Sequence, residues 1–455
     1  MTIIYLLGTI SSTTASGGNA SPDSQIEALT RMGISPERAS QAIAVQSEVA
    51  SIELGNKIVA ALGDSYAGVW FQPAEAKFYI GVTSPASRRT AEQVLATSGV
   101  APGSVVIQQV RSTWRELVAA QEQWNKEHAT LQENRQASTG ILPQNNALRI
   151  ELSSSTPAAE RSALENEATT APVNILISVV PPESFNDTPK AKKTCSAGAF
   201  VKKTAYCEEA ITSGVGIIFE PGTKPECTAG PMLISGRETY MLTAGHCFDT
   251  PTVATGASVI KGVKSKFTAG GAREIGNEVA WYWNTERDMA AVKVKSPSGE
   301  MSEALPIPVP ALMAEWGLAN PVTPHAVNGQ EKAEGVAAGQ TVCHEGMTSG
   351  EHCGVIKALN VRVNTEETPA TEHLIETTTC SDFGDSGGPY FFRNKAGEIF
   401  MLGTEVASSG NCQGATSFRT KFEPLVGMQG TLEKFGILNT FTGKPLLTTA
   451  NEKRP

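Results

Sequence analysis

The string "GDSGGP" (384–389) places Ser386 among glycines, a composition that permits a tight, exposed turn. A serine hydroxyl is a poor nucleophile until a base takes its proton, and that base needs an orienting partner. Acyl transfer also needs N–H donors aimed at the developing oxyanion, and those of Gly384 and Ser386 would serve. Loss of one such donor typically costs ~10²–10³ in turnover. A candidate base, His246, ends the apolar run of "MLTAGHCFD" (241–249). A candidate orienter, Asp288, stands at the entrance of the apolar strand in "TERDMAAVKV" (285–294). Each residue alone has a plain structural reading: a packed histidine, a strand-capping aspartate, a serine in a loop. In the order histidine, aspartate, serine they read together as acyl-transfer chemistry.

The same serine also satisfies G-x-S-x-G, the elbow of α/β-hydrolases. That fold needs its histidine after the serine, and His373 is the last histidine here, so the elbow reading fails. Eight cysteines, at 195, 207, 227, 247, 343, 353, 380 and 412, lie beyond the first 194 residues. An even set confined to one region reads as a disulfide framework formed in an oxidising compartment. "CHEGMTSGEHC" (343–353) also offers two Cys and two His to zinc, but a hairpin closed by its cysteines accounts for the same residues. No metal and no cofactor is expected, and no calcium loop of spaced carboxylates is present in the sequence.

The elements that must position these groups fall into two textures. Residues 1–24 are a signal-like or disordered start without a positive n-region. Apolar residues at helical spacing follow over 25–62, broken at Gly33 and Ser35-Pro36. A hairpin over 66–84, a helix and a strand at 104–110 come next, then a long polar helix over 112–136. Trp114 and Trp124 in that helix are read as packing residues. The strand–helix–strand order recurs over 146–180, so 25–180 reads as one α+β domain with two related halves. The connector 181–194 is rich in Pro, Lys and polar groups, as a protease-sensitive linker would be. From 195 to 445 short strands alternate with Gly-, Pro- and Ser-rich turns, which indicates an all-β barrel or sandwich, closed by a helix over 425–438. Residues 446–455 form a tail.

"LTAGHC", "RDMAAV" and "GDSGGP", in that order, resemble a chymotrypsin-like serine endopeptidase. "VCHEGMTSGEHCGVI", "TCSDFGDSGGP" and "YCEEAITSGVGIIF" are similar to its secreted bacterial branch, the streptogrisin and alpha-lytic proteases. "LGDSYAGVWFQPAEAKFYIGVTS" resembles the pro-region of those enzymes. The resemblance implies two six-stranded antiparallel β-barrels with the triad in the cleft between them. It implies His246 as general base, Asp288 as orienter and Ser386 as nucleophile. It implies disulfides Cys227–Cys247, Cys343–Cys353 and Cys380–Cys412, with Cys195–Cys207 as the fourth. Finally, it implies a pro-domain that assists folding and inhibits until it is cut away.

Two positions depart from the family pattern. His344 stands where a basic residue usually pairs with the aspartate before the nucleophile, so an Asp385–His344 pair is one expectation. Val406-Ala407-Ser408, preceded by Glu405, replaces the Ser-Gly-Gly of the strand lining the substrate pocket. Glu405 is read as a solvent-facing rim carboxylate, with a pocket for Lys or Arg as the competing reading. A formal charge of −9 argues against nucleic acid, and no apolar run is long enough to span a membrane. The expectation is a secreted, extracellular, monomeric endopeptidase made as a zymogen, acting on peptides or proteins and bound by its own pro-domain. The competing expectation is a protease-fold binding protein whose altered cleft no longer turns over peptides.

Overall fold

A computed structural model describes residues 23–49, 52–180, 213–214, 216–219, 227–235, 238–248, 262–268, 271–283, 286–294, 312–315, 323–330, 336–364, 371–395, 399–409, 412 and 419–434. The 181–194 linker, Cys195, Cys207 and the 446–455 tail lie outside the described residues, as does nearly all of the 1–24 start.

The first part opens with α1 (Asp23–Arg31), α2 (Pro36–Val49) and α3 (Ile52–Leu62). Gly33, at φ 87, makes the turn between α1 and α2 where the sequence predicts a break. Then come β1 (Tyr66–Gln72), β2 (Lys77–Val82), α4 (Pro85–Ala96) and β3 (Val105–Gln109). Ser84 caps α4 by accepting from Ser87 N, and Pro85 follows in the first turn, where its missing N–H costs nothing. The second half runs α5 (Trp114–Glu127), α6 (Ala129–Glu133), β4 (Ala137–Leu142), β5 (Ala147–Ser153), α7 (Ala158–Thr170) and β6 (Asn174–Val180). In both halves an antiparallel hairpin is followed by a helix and a parallel third strand. The recurring order read from the sequence is thus a repeated hairpin–helix–strand plan.

The long helix expected over 112–136 is shorter than its polar pattern suggests. A capping box of Thr113 and Glu116 starts α5, but His128 leaves helical geometry at φ −114, ψ 31. The following "ASTGIL" forms β4, a strand the sequence pattern did not reveal because its small and polar residues show no apolar alternation. Trp124 is buried with Leu117, Ile141 and Ile150, and Trp114 packs on that cluster, so both tryptophans are packing residues.

The second part is rich in strands. β7 (Gly216–Phe219), β8 (Cys227–Thr228), β9 (Met232–Ser235), β10 (Glu238–Thr243), β11 (Gly262–Thr268), β12 (Gly271–Trp283) and β13 (Asp288–Val294) form one sheet, in the order β8-β7-β11-β12-β13-β10-β9. The rest are β14 (Leu312–Glu315), β15 (Thr323–Gln330), β16 (Thr341–Gly346), β17 (Gly350–Val363), β18 (Thr371–Thr377), β19 (Pro389–Arg393), β20 (Ile399–Ser409) and β21 (Arg419–Pro424), followed by α8 (Leu425–Lys434). "GVIKAL" and the Val361–Val363 part of "VRVNT" belong to the single long strand β17, not to two. The second sheet runs β14-β15-β20-β19-β16-β17-β4-β5-β6, so strands of the first part extend the sheet of the second. The junction pairs Leu359 with Ile141 and Arg362 with Thr139. The chain is therefore an α+β region followed by an all-β region, joined edge to edge through β4 and β17.

Candidate active site

β10 ends at Thr243, and a short turn of Gly245–Cys247 carries His246 beyond the sheet edge. The neighbouring strand β13 starts at Asp288, with Thr243 opposite Ala290 in register. This pairing puts Asp288 directly beneath the histidine turn. Asp288 is buried, and its Oδ1 accepts from Gly245 N at 2.6 Å and His246 N at 2.9 Å. Its Oδ2 lies 2.8 Å from His246 Nδ1. One carboxylate thus holds both the backbone and the ring of His246, leaving Nε2 to face the other way. The turn must approach closely: a Cβ on Gly245 would lie 2.1 Å from Tyr282 O. Trp281 Nε1 donates to Gly245 O at 2.7 Å, and the Cys227–Cys247 disulfide fastens the far side.

Ser386 sits in the turn between Asp382 and β19. Gly384 and Gly387 adopt φ 99 and 85, the left-handed region that glycine enters without strain. Asp385 is buried and faces away from solvent, and its carboxylate accepts from Thr348 N (2.8 Å), Ser349 N (3.1 Å) and Asp382 N (2.8 Å). Burial pushes the Asp385 carboxyl up, against these hydrogen bonds. Gly387 N donates to Glu405 O at 2.7 Å, and Glu405 N donates to Gly388 O at 2.8 Å. Among the described residues neither Gly384 N nor Ser386 N donates to a protein acceptor. Ser386 O lies 4.0 Å from Cys247 Sγ, so the serine turn abuts the histidine turn.

Thr228, in the "CTAG" segment, joins the two turns and carries no recognisable functional signal in the sequence. Its N donates to Ser386 O (2.8 Å) and its Oγ1 to Gly384 O (2.8 Å), while Thr243 Oγ1 donates to Thr228 O (3.0 Å). Glu423 was equally illegible. It is fully buried, pairs with Arg287 at 3.1 Å and so anchors the residue before Asp288.

The three cysteine pairs within the described residues are those implied by the resemblance: Cys227–Cys247, Cys343–Cys353 and Cys380–Cys412. Cys343 and Cys353 therefore offer no thiolate, which removes the zinc alternative. Two expectations need correction. Asp385 does not pair with His344, because backbone N–H groups occupy its oxygens. His344 is instead buried 5.2 Å from the Tyr390 ring, where burial and then His352 push its pKa down to about 3. Glu405 is not a rim carboxylate: it is 2% exposed, and no hydrogen-bond partner reaches its Oε2. Burial, with Asp385 and Asp288 adding and His246 opposing, pushes it up to about 8. Val406 packs with Ala244, Cys247 and Ala290 under the histidine turn. Ala407 is buried, and Ser408 is half-buried on the same strand.

The trypsin family model matches residues 215–426, and the alpha-lytic protease pro N-terminal model matches residues 37–102. The chain belongs to the chymotrypsin-like serine protease family and carries an alpha-lytic-type pro-domain. Streptogrisin-D of Streptomyces griseus is 30% identical to this protease-family chain over 205 residues, 45% of this chain and 43% of that protein. The similarity thus spans less than half the length of that curated relative. Serine protease 1 of Streptomyces fradiae is 25% identical over 390 residues, 83% of this chain and 85% of that protein. Among solved structures, Protease A of Thermobifida fusca shows 25% identity over 53% of this chain and 99% of that one, with a TM-score of 0.37.

Proposed function

We propose that the chain is the zymogen of a secreted, monomeric serine endopeptidase acting on peptides and proteins outside the cell. His246 takes the Ser386 proton through Nε2 as the hydroxyl attacks the scissile carbonyl, then returns it to the leaving amine. Asp288 holds the ring in the required tautomer and stabilises the imidazolium. The N–H groups of Gly384 and Ser386 receive the oxyanion, and water then hydrolyses the acyl-enzyme. The observation that carries this reading is the triple hold of Asp288 on the His246 turn, beside a serine turn tied to it through Thr228.

In this reading residues 25–180 act as folding assistant and inhibitor, cleavage falls within 181–194, and 195–445 is the mature enzyme. Glu405, Val406, Ala407 and Ser408 line the substrate pocket. The buried Glu405 carboxyl, pushed up to about 8 by burial and by Asp385, carries its charge only above that value, so a preference for Lys or Arg before the scissile bond strengthens as the pH rises through about 8. The deciding experiment compares the intact masses of the full-length protein and its Ser386→Ala variant after secretion. Cleavage near 181–194 in the first and none in the second is expected. Identical cutting of both would assign processing to an outside protease. Failure of a fluorophosphonate probe to label Ser386 in the processed protein would favour a binding protein instead.

A further inference from the structure

Six charged side chains from both sides of the linker meet in one knot, in which Arg149, Glu151, Glu376 and Lys421 are buried, Arg419 is 12% exposed and Lys357 is 39% exposed. Arg149 and Glu151 come from β5, Glu376 from β18, Arg419 and Lys421 from β21, and Lys357 from β17. Arg149 grips Glu376 with two parallel bonds, at 2.7 and 2.9 Å, the geometry in which guanidinium and carboxylate match best. Glu151 lies 3.4 Å from Arg149 and also pairs with Arg419. Arg419 and Lys357 approach Glu376 to 3.7 and 3.8 Å. The Arg149 and Glu376 side chains are 6% and 0% exposed.

Other contacts across the same boundary are single bonds or neutral: Arg31 donates to Cys353 O at 3.2 Å and Ser24 to Glu351 at 2.7 Å, and neither is a paired set of opposite charges. Gln46 exchanges two bonds with the Thr341 backbone, both 2.9 Å, and Gln121 clamps Asn360 at 2.6 and 2.7 Å. Trp70 packs against Val336 and Ala338. The amide and apolar contacts among these do not titrate, and either surface can be left to water at modest cost. The knot differs, because a buried charge that loses its partner is strongly destabilising. Its arrangement avoids that outcome on separation. The pro-region keeps Arg149 beside Glu151, and the catalytic part keeps Glu376 beside Arg419 and Lys357.

We propose that this knot is the latch by which the pro-region grips the catalytic part, strong while buried and separable into two halves that each retain an ion pair. The assignment rests on the reading that residues before 181 are cut away and leave. Burial by itself would push the Glu376 carboxyl up. Arg149, and then Lys421 and Arg419, overcome this and hold it well below the ordinary carboxylate range. With a depressed carboxylate the latch is whole above the usual carboxylate pKa and is lost progressively as the pH falls from there to the lower, latched value. It therefore holds at neutral pH and opens in strong acid.

The test is hydrogen exchange at neutral pH on the intact Ser386→Ala chain, which needs neither cleavage nor activity. Arg149→Met is expected to speed exchange across 137–153 and 355–363 by about 100-fold or more, leaving 288–294 unchanged. Glu376→Gln should do the same. The double variant Arg149→Met/Glu376→Leu should exchange no faster than either single, since it removes the bidentate pair together and leaves the net charge of the knot unchanged. Should Glu376→Gln fail to fold, Glu151→Gln replaces it. Parent-like exchange in the single variants, equal acceleration at 288–294, or additive effects in the double variant would overturn the latch. Absence of fluorophosphonate labelling at Ser386 of the processed parent protein, with these exchange results intact, would sink the peptidase reading alone.

Discussion

At the scale of single residues, Asp288 is the most heavily committed side chain in the site. Both its oxygens are engaged, and it determines the ring tautomer as well as the turn that presents the ring. Asp288→Asn keeps the size but reverses one hydrogen bond, so kcat should fall by about 10⁴ while peptide binding changes little; steady-state kinetics on a peptide amide would check this. Glu405 shows how far a carboxylate's meaning depends on burial. At the surface it would be inert, but behind the serine turn it is a concealed acid with a free oxygen. Above about pH 8, where Glu405 carries its charge, peptides with Arg before the cut bond should exceed their Ala counterparts in kcat/KM, and Glu405→Gln should reduce that ratio by about 10-fold or more. Equal turnover of Arg and Ala peptides by the parent enzyme would exclude a basic pocket.

At the scale of elements, two strand ends and two turns make the site. β10 and β13 pair so that Asp288 begins one strand where the His246 turn leaves the other. The serine turn then needs a glycine at 387: a Cβ there would lie 2.0 Å from Thr243 Oγ1 and 2.6 Å from Thr228 O, at a φ of 85. Gly387→Ala should push Ser386 away from His246 and cut kcat by roughly 10²-fold, the usual cost of a displacement of about 1 Å. Fluorophosphonate labelling should slow in parallel, while the disulfide set stays intact. Element type was legible wherever apolar residues kept a period, as in β2, β5 and α4. It was not legible in β4, whose small residues become a strand only because β5 and β17 flank them.

At the scale of the whole molecule, buried titratable groups set an acid-tilted stability profile. Glu405 and Glu423 are both pushed up to about 8, chiefly by burial, from an ordinary value of 4.5. They release protons on unfolding between those limits, so stability falls as pH rises from 4.5 to about 8. His344, pushed down to about 3 from 6.5, gains a proton on unfolding, so stability also falls as pH drops through that window. Below 6.5 the two carboxyls are opposed by His344 and also by His352 and His373, both pushed down chiefly by burial. Above 6.5 the two carboxyls act without that opposition, so the decline is steepest between there and about 8. Full-length Ser386→Ala protein should therefore show a higher Tm at pH 5 than at pH 8, and Glu405→Gln/Glu423→Gln should flatten the alkaline decline. A Tm that rises between pH 5 and pH 8 would contradict these assignments.

The amino-acid sequence by itself determined the candidate reacting groups and their order. His246, Asp288 and Ser386 stand in contiguous strings whose turn chemistry is local, and the cysteine spacing travels with those strings. The repeated halves of the pro-region were legible for the same reason, since periodicity is a property of neighbouring residues. Tertiary structure alone decided what lies between distant segments. It buried Glu405, gave the Asp385 carboxylate to backbone N–H groups in place of the His344 ring, and made Thr228 the tie between two turns. It also brought Arg149 to Glu376 across 227 residues of chain, a pairing that no local pattern encodes, because each charge acquires its meaning only from the partner that burial places against it.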